Sequence, residues 1–167
     1  SVISGLFLLR VEETLENPQR FDGSQLKVNW KDVIEPSVVP AAIVMILTAS
    51  CSGIIFVLAP DISGFLGIEN KGFFFGFYVI STIFVRLFTS SLSDRIGRRE
   101  TMLIGVCILL LSMILLSRVD SYNSFVLAAI VFGLATGVSS PTLFAWTADL
   151  SHIKRRGVGA GTIFIAL

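Results

Sequence analysis

Charge is what this sequence has least of. Only 15% of its 167 residues are charged against 53% hydrophobic, and its mean hydropathy is +0.82. A soluble domain carries about 25% charged residues, so an integral membrane protein is expected. Histidine occurs once and cysteine twice. Cys51 and Cys107 each lie inside an apolar run, which argues against a disulfide framework or a thiolate metal site. His152 lies in a polar turn with no second ligand, so neither metal nor cofactor is expected. A net charge of +1 with no concentrated basic face argues against nucleic acid as a partner. No nucleophile and base pair falls at any membrane depth, which speaks against an enzyme, and nothing resembles a channel's filter loop or ring of charges. No carboxylate lies in the middle of an apolar run.

What the chain has instead is apolar sequence in blocks. Ser1 to Leu9 reads as the tail of an earlier membrane helix, and the chain as an excerpt of something longer. Residues 10–35 are charged and polar, with Pro18 and Gly23 as breakers, and read as an aqueous linker. Within it, Ser24 to Glu35 alternates apolar and charged residues around Trp30, either a short interfacial helix or an irregular loop. Residues 36–167 are expected to hold spans at about 37–59, 72–92, 101–117 and 122–148, and a truncated one at 157–167, measured against the ~20 residues needed to cross ~30 Å of hydrocarbon. Pro36 and Pro40 open the first span, where missing amides cost little. Pro60-Asp61 is expected to end it, with a loop to Asn70.

Polar residues inside the spans are the candidates for function. Thr48, Ser50, Cys51, Ser52 and Gly53 make mid-span small and polar, for close helix approach or for a water-filled cavity. Arg86 is the one charge within the phenylalanine-rich second span, roughly 12 Å from Asp94 at 1.5 Å per residue. It either snorkels to the surface and joins the loop charges, or meets an anionic substrate group. Gly133 and Gly137 give the fourth span one smooth face. Pro141 leaves the Gly137 carbonyl without its usual partner and predicts a bend. Thr48, Ser52, Arg86, Thr136, Ser139 and Thr142 are the candidate cavity lining.

Ten of the thirteen Lys and Arg residues fall on alternate loops of one side: the linker, the Ser90 to Arg99 turn, and the Asp149 to Arg156 turn. Lys71 and Arg118 lie on the other side. This asymmetry predicts that the first set is cytoplasmic. Ser90 to Arg99, pinched between two apolar runs, is expected to be a short basic loop.

That stretch, Ser-Ser-Leu-Ser-Asp-Arg-Ile-Gly-Arg-Arg, resembles the signature loop GxLxDRxGRR of the major facilitator superfamily. Leu92, Asp94, Arg95, Gly97, Arg98 and Arg99 are in place, and Ser90 stands where the family usually has glycine. Gly67 to Asn70 with Gly72 to Phe74, and Ala148-Asp149 followed by Arg156-Gly157, also resemble family patterns. The resemblance implies an all-α polytopic transmembrane bundle, part of a twelve-helix fold of two six-helix halves. The long charged linker resembles the central loop between halves. It places the chain from the end of helix 6 to the start of helix 11, with the N-terminal half as an implied partner. It further implies that Asp94, disfavoured by the dipole at a helix C-terminus, meets a helix N-terminus of the opposite half. Arg98 would reach Asp149, and Arg156 could join.

The function so implied is a secondary transporter that moves a small solute across the cytoplasmic membrane by alternating access. Resemblance to efflux permeases makes proton-coupled export the finer expectation, with any coupling acid outside these spans. The alternative is a transport-inactive membrane sensor or partner protein of the same fold. Neutral, aromatic spans point to an uncharged or amphipathic solute, and Arg86 points the other way.

Overall fold

The computed structural model describes residues 33–167, apart from the side chains of residues 90–92 and 154. The expectations for Ser1 to Leu9 and for the linker as far as residue 32 lie outside the described residues. Five α-helices follow in order: α1 Val39–Phe65, α2 Phe73–Ile96, α3 Arg98–Ser117, α4 Tyr122–Leu150 and α5 Arg156–Ile165. Short 3-10 turns at Pro36–Val38 and Ile153–Arg155 lead into α1 and α5, and no strand occurs among the described residues. Pro36–Phe65, Arg98–Ser117 and Tyr122–Leu150 are long and apolar enough to cross a membrane, and Phe73–Thr89 is a shorter apolar stretch of α2.

The bundle is built around α4, which packs along its length against α2 on one flank and α3 on the other. Missing side chains make this possible. A Cβ on Gly133 would stand 2.5 Å from the Tyr78 carbonyl oxygen, and one on Gly137 would overlap the Val85 side chain. The close approach lets Ser81 Oγ donate to the Ile130 carbonyl at 2.8 Å and Thr82 Oγ1 to the Gly133 carbonyl at 3.2 Å. On the other flank Gly105 of α3 makes room for Ser139. The N-terminus of α4 is closed by a reciprocal cap between Ser121 and Ser124, which satisfies two orphan amides. Its helix is continuous through Pro141, where Thr142 Oγ1 donates to the Val138 carbonyl at 2.8 Å.

Two expectations change. Pro60 does not end the first helix, which runs on to Phe65. Proline in a helix interior costs about 3 kcal/mol, but the extra turn buries Ser63 completely and packs Ile62 on the core. The terminator is Gly67, at φ 71°, whose N–H donates to the Gly64 carbonyl while that of Ile68 donates to Ser63. This paired closure is the Schellman arrangement. Ser90 to Arg99 is likewise not a loop. α2 continues to Ile96, α3 starts at Arg98, and Gly97 alone separates them. Its φ of 109° is open to glycine and rare for any residue with a Cβ. The Gly97 N–H closes α2 on the Ser93 carbonyl, and its own carbonyl accepts from Thr101 to open α3.

The apolar core divides in two. One cluster, with Phe74, Phe125, Phe132 and Ile55 at its centre, fills the end of the bundle remote from Gly97. Another, with Val38, Ala41, Met102, Leu143 and Ile163, fills the basic end. The polar middle of α1 and the Thr136 to Ser140 stretch of α4 lie between them.

Candidate functional site

At this waist the two core clusters leave a cavity of about 300 Å³. α1 contributes Thr48, Ala49, Ser52, Gly53 and Phe56, and α4 contributes Thr136, Ser139, Ser140 and Phe144, with Tyr78 from α2 and Leu109 from α3. Of the six predicted lining residues, the structure thus brings together Thr48, Ser52, Thr136 and Ser139. Thr142 is packed away from the cavity, 1% exposed. Arg86 is exposed, on the flank of α2 that also carries Val79 and Ile83, and does not line this cavity. Ser139 Oγ lies against Gly105 and has no hydrogen-bond partner among the described residues.

The second feature is a charge cluster at the basic end. Arg98 forks between two helices: its Nη1 stands 2.8 Å from Asp94 Oδ1 on the last turn of α2, and its Nε stands 3.0 Å from Asp149 Oδ2 at the end of α4. The Nη1 group also donates to Ser93 Oγ at 2.9 Å. One guanidinium therefore bridges two carboxylates, each lying where a helix dipole is negative. Arg95 and Arg99 point to solvent on either side of Gly97. A family model described as Major Facilitator Superfamily matches residues 1–167, the entire sequence.

The chain belongs to the Major Facilitator Superfamily. No curated protein and no solved structure shows a significant match to it. Membership makes it a multi-pass, all-α membrane protein of a transporter family, not of an enzyme family. The bilayer and a small solute are its general partners.

Within this superfamily member the residues of the signature stretch divide by position. Asp94 and Arg95 end α2, Gly97 makes the break, and Arg98 and Arg99 open α3. Ser90 and Leu92 lie on α2, with side chains outside the description. Arg156 does not join the cluster. It is exposed at the start of α5, beside Gly157, whose Cα faces open space.

Its neighbour Arg155 is engaged instead, with Nε 2.9 Å from Glu35 Oε2. Glu35, expected in an aqueous linker, is 7% exposed. Ser37 Oγ donates to its Oε1 at 3.1 Å, and its own N–H donates to Thr162 Oγ1 of α5 at 3.0 Å. This ties the start of α1 to α5. Sequence reading missed the pair because both residues sit in charged stretches. The available signal was that Glu35 is the last charge before an uncharged run.

Proposed function

We propose that this superfamily member is a secondary transporter working by alternating access, as a proton-coupled exporter in the cytoplasmic membrane. The observation that carries the transport reading is the mid-depth cavity between α1 and α4, set above a charge cluster that α2, α3 and α4 build at one end of the bundle. In this reading the cavity receives solute, and the basic end, facing the cytoplasm, is the gate. The gating residues are Asp94, Arg98 and Asp149, with Ser90, Leu92, Arg95, Gly97 and Arg99 setting the hairpin and Arg156 and Gly157 opening α5. Asp94 is free to face a second six-helix half, since its side chain is 63% exposed even while paired with Arg98. Export and proton coupling rest on the likeness to efflux permeases.

Arg98→Ala tests the gate. Loss of the fork should speed hydrogen–deuterium exchange at the ends of α2 and α4 near Asp94 and Asp149, and should change solute counterflow in liposomes. Unchanged exchange together with unchanged counterflow would remove the gating role. Absence of counterflow in the unsubstituted protein would remove the transporter reading itself.

A further inference from the structure

We propose that the cavity between α1 and α4 takes an uncharged solute with an apolar body that brings its own N–H or O–H donors. The proposal rests on the transporter reading of the same cavity. Three of its six hydroxyls are engaged in one direction. Thr48 Oγ1 donates to the Val44 carbonyl at 2.8 Å, Ser52 Oγ to the Thr48 carbonyl at 2.9 Å, and Thr136 Oγ1 to the Phe132 carbonyl at 3.1 Å. A hydroxyl has one proton and two lone pairs, so these three offer the cavity acceptors only. Ser139 Oγ is turned against Gly105. Tyr78 and Ser140 are left as the hydroxyl donors of the lining. Acceptors therefore outnumber donors, and a bound solute must supply the difference or leave it unmatched.

Magnitudes decide the charge. Among the described residues no Asp, Glu, Lys, Arg or His lines the cavity, and Arg86 stands outside it. Each of the rings of Phe56, Tyr78 and Phe144 would attract a cation by about 0.5–2 kcal/mol, and Phe56 and Tyr78 are already stacked on Phe75 and Phe132. Stripping water from an ammonium without a counter-charge costs several kcal/mol, so a cation must engage all three rings at once to recover it. An anion would meet lone pairs and no cation. A neutral solute is the one class that escapes both costs, and its apolar body fits the aromatic and aliphatic walls.

The test uses the protein reconstituted in liposomes, with Ala49→Cys as a reporter thiol in the cavity and Cys51→Ser and Cys107→Ser removing the native thiols. N-ethylmaleimide should alkylate the reporter, and benzamide in the millimolar range should slow that reaction about tenfold, as a protecting ligand does at roughly nine times its Kd. N,N-Dimethylbenzamide, which has no N–H, should slow it much less, and benzylammonium and benzoate should not slow it. Thr136→Val should narrow the gap between the two amides. Thermal stabilisation of the unsubstituted protein by the four probes should give the same ranking, whether or not the reporter variant folds. Equal effects of the two amides, no effect of either, or a charged probe matching benzamide would each overturn the proposal. None of these results touches the transporter reading, which fails separately if counterflow is absent while benzamide still protects.

Discussion

Arg98 and Arg155 sit at the same end of the bundle in different media, and the difference assigns them different work. The carboxylates facing Arg98 are 63% and 58% exposed, and exposed pairs are worth roughly 0–1 kcal/mol each. Contacts of that size open readily, as a gate requires. Glu35 is buried, and removing one partner of a buried pair costs about 3–5 kcal/mol. Arg155 is 37% exposed, which places the effect at the lower end of that range. Glu35→Gln or Arg155→Gln should therefore lower stability by about 3 kcal/mol, and the double variant by less than the sum. Unfolding midpoints in detergent measure this, and Arg98→Ala should move the midpoint little by comparison. Gly97→Ala should cost about 1–3 kcal/mol in the same assay, since it forces a Cβ into a left-handed conformation and against Glu100 Oε2. Glu35 was illegible as a buried residue because composition reports a neighbourhood in sequence. Burial here comes from α5, 127 residues away along the chain.

Among the elements, helix ends were harder to read than helix bodies. Each of the five described helices overlaps an apolar run, because a segment with little charge has few alternatives in a bilayer. Pro60 misled as an end because its missing amide is a local cost, whereas the turn after it is held by long-range packing. Basic residues in Ser90 to Arg99 suggested a loop, yet the last turn of one helix and the first of another tolerate charge as readily as a loop does. The glycines four apart on α4 were legible as a contact face, although their neighbour was not. That neighbour, α2, makes the two glycines unequal. Gly133 faces the backbone oxygen of Tyr78, which cannot turn aside, while Gly137 first meets the end of the Val85 side chain. Gly133→Ala should thus lower the unfolding midpoint more than Gly137→Ala, a difference that reverses if Val85 has no room to rotate. Val85→Ala in the Gly137→Ala background then restores stability if the side chain is the obstacle.

For the molecule as a whole, the core is interrupted where the two longest described helices, α1 and α4, both carry small polar residues. Thr48, Ser52, Thr136 and Ser139 were legible as lining because polar groups at mid-depth have few roles there other than contact or cavity. Arg86 and Thr142 share that polarity but face elsewhere, and facing depends on which helix lies beside which. The proposed orientation makes a prediction at this scale. A membrane-impermeant maleimide should label Asn70→Cys, between α1 and α2, in intact cells, and should label Arg99→Cys after permeabilisation alone. The reverse pattern would turn the bundle over and put the charge cluster outside.

A connection one residue long also fixes the rotational phase of α3. Each residue advances a helix by roughly 100°, so a single alanine inserted beside Gly97 would swing the whole of α3 about its axis. Arg98 would leave Asp149, and the notch at Gly105 would leave Ser139, two contacts at different depths of the α3–α4 seam lost through one change at neither of them. The glycine acts as the timing mark between the gate and the wall of the cavity.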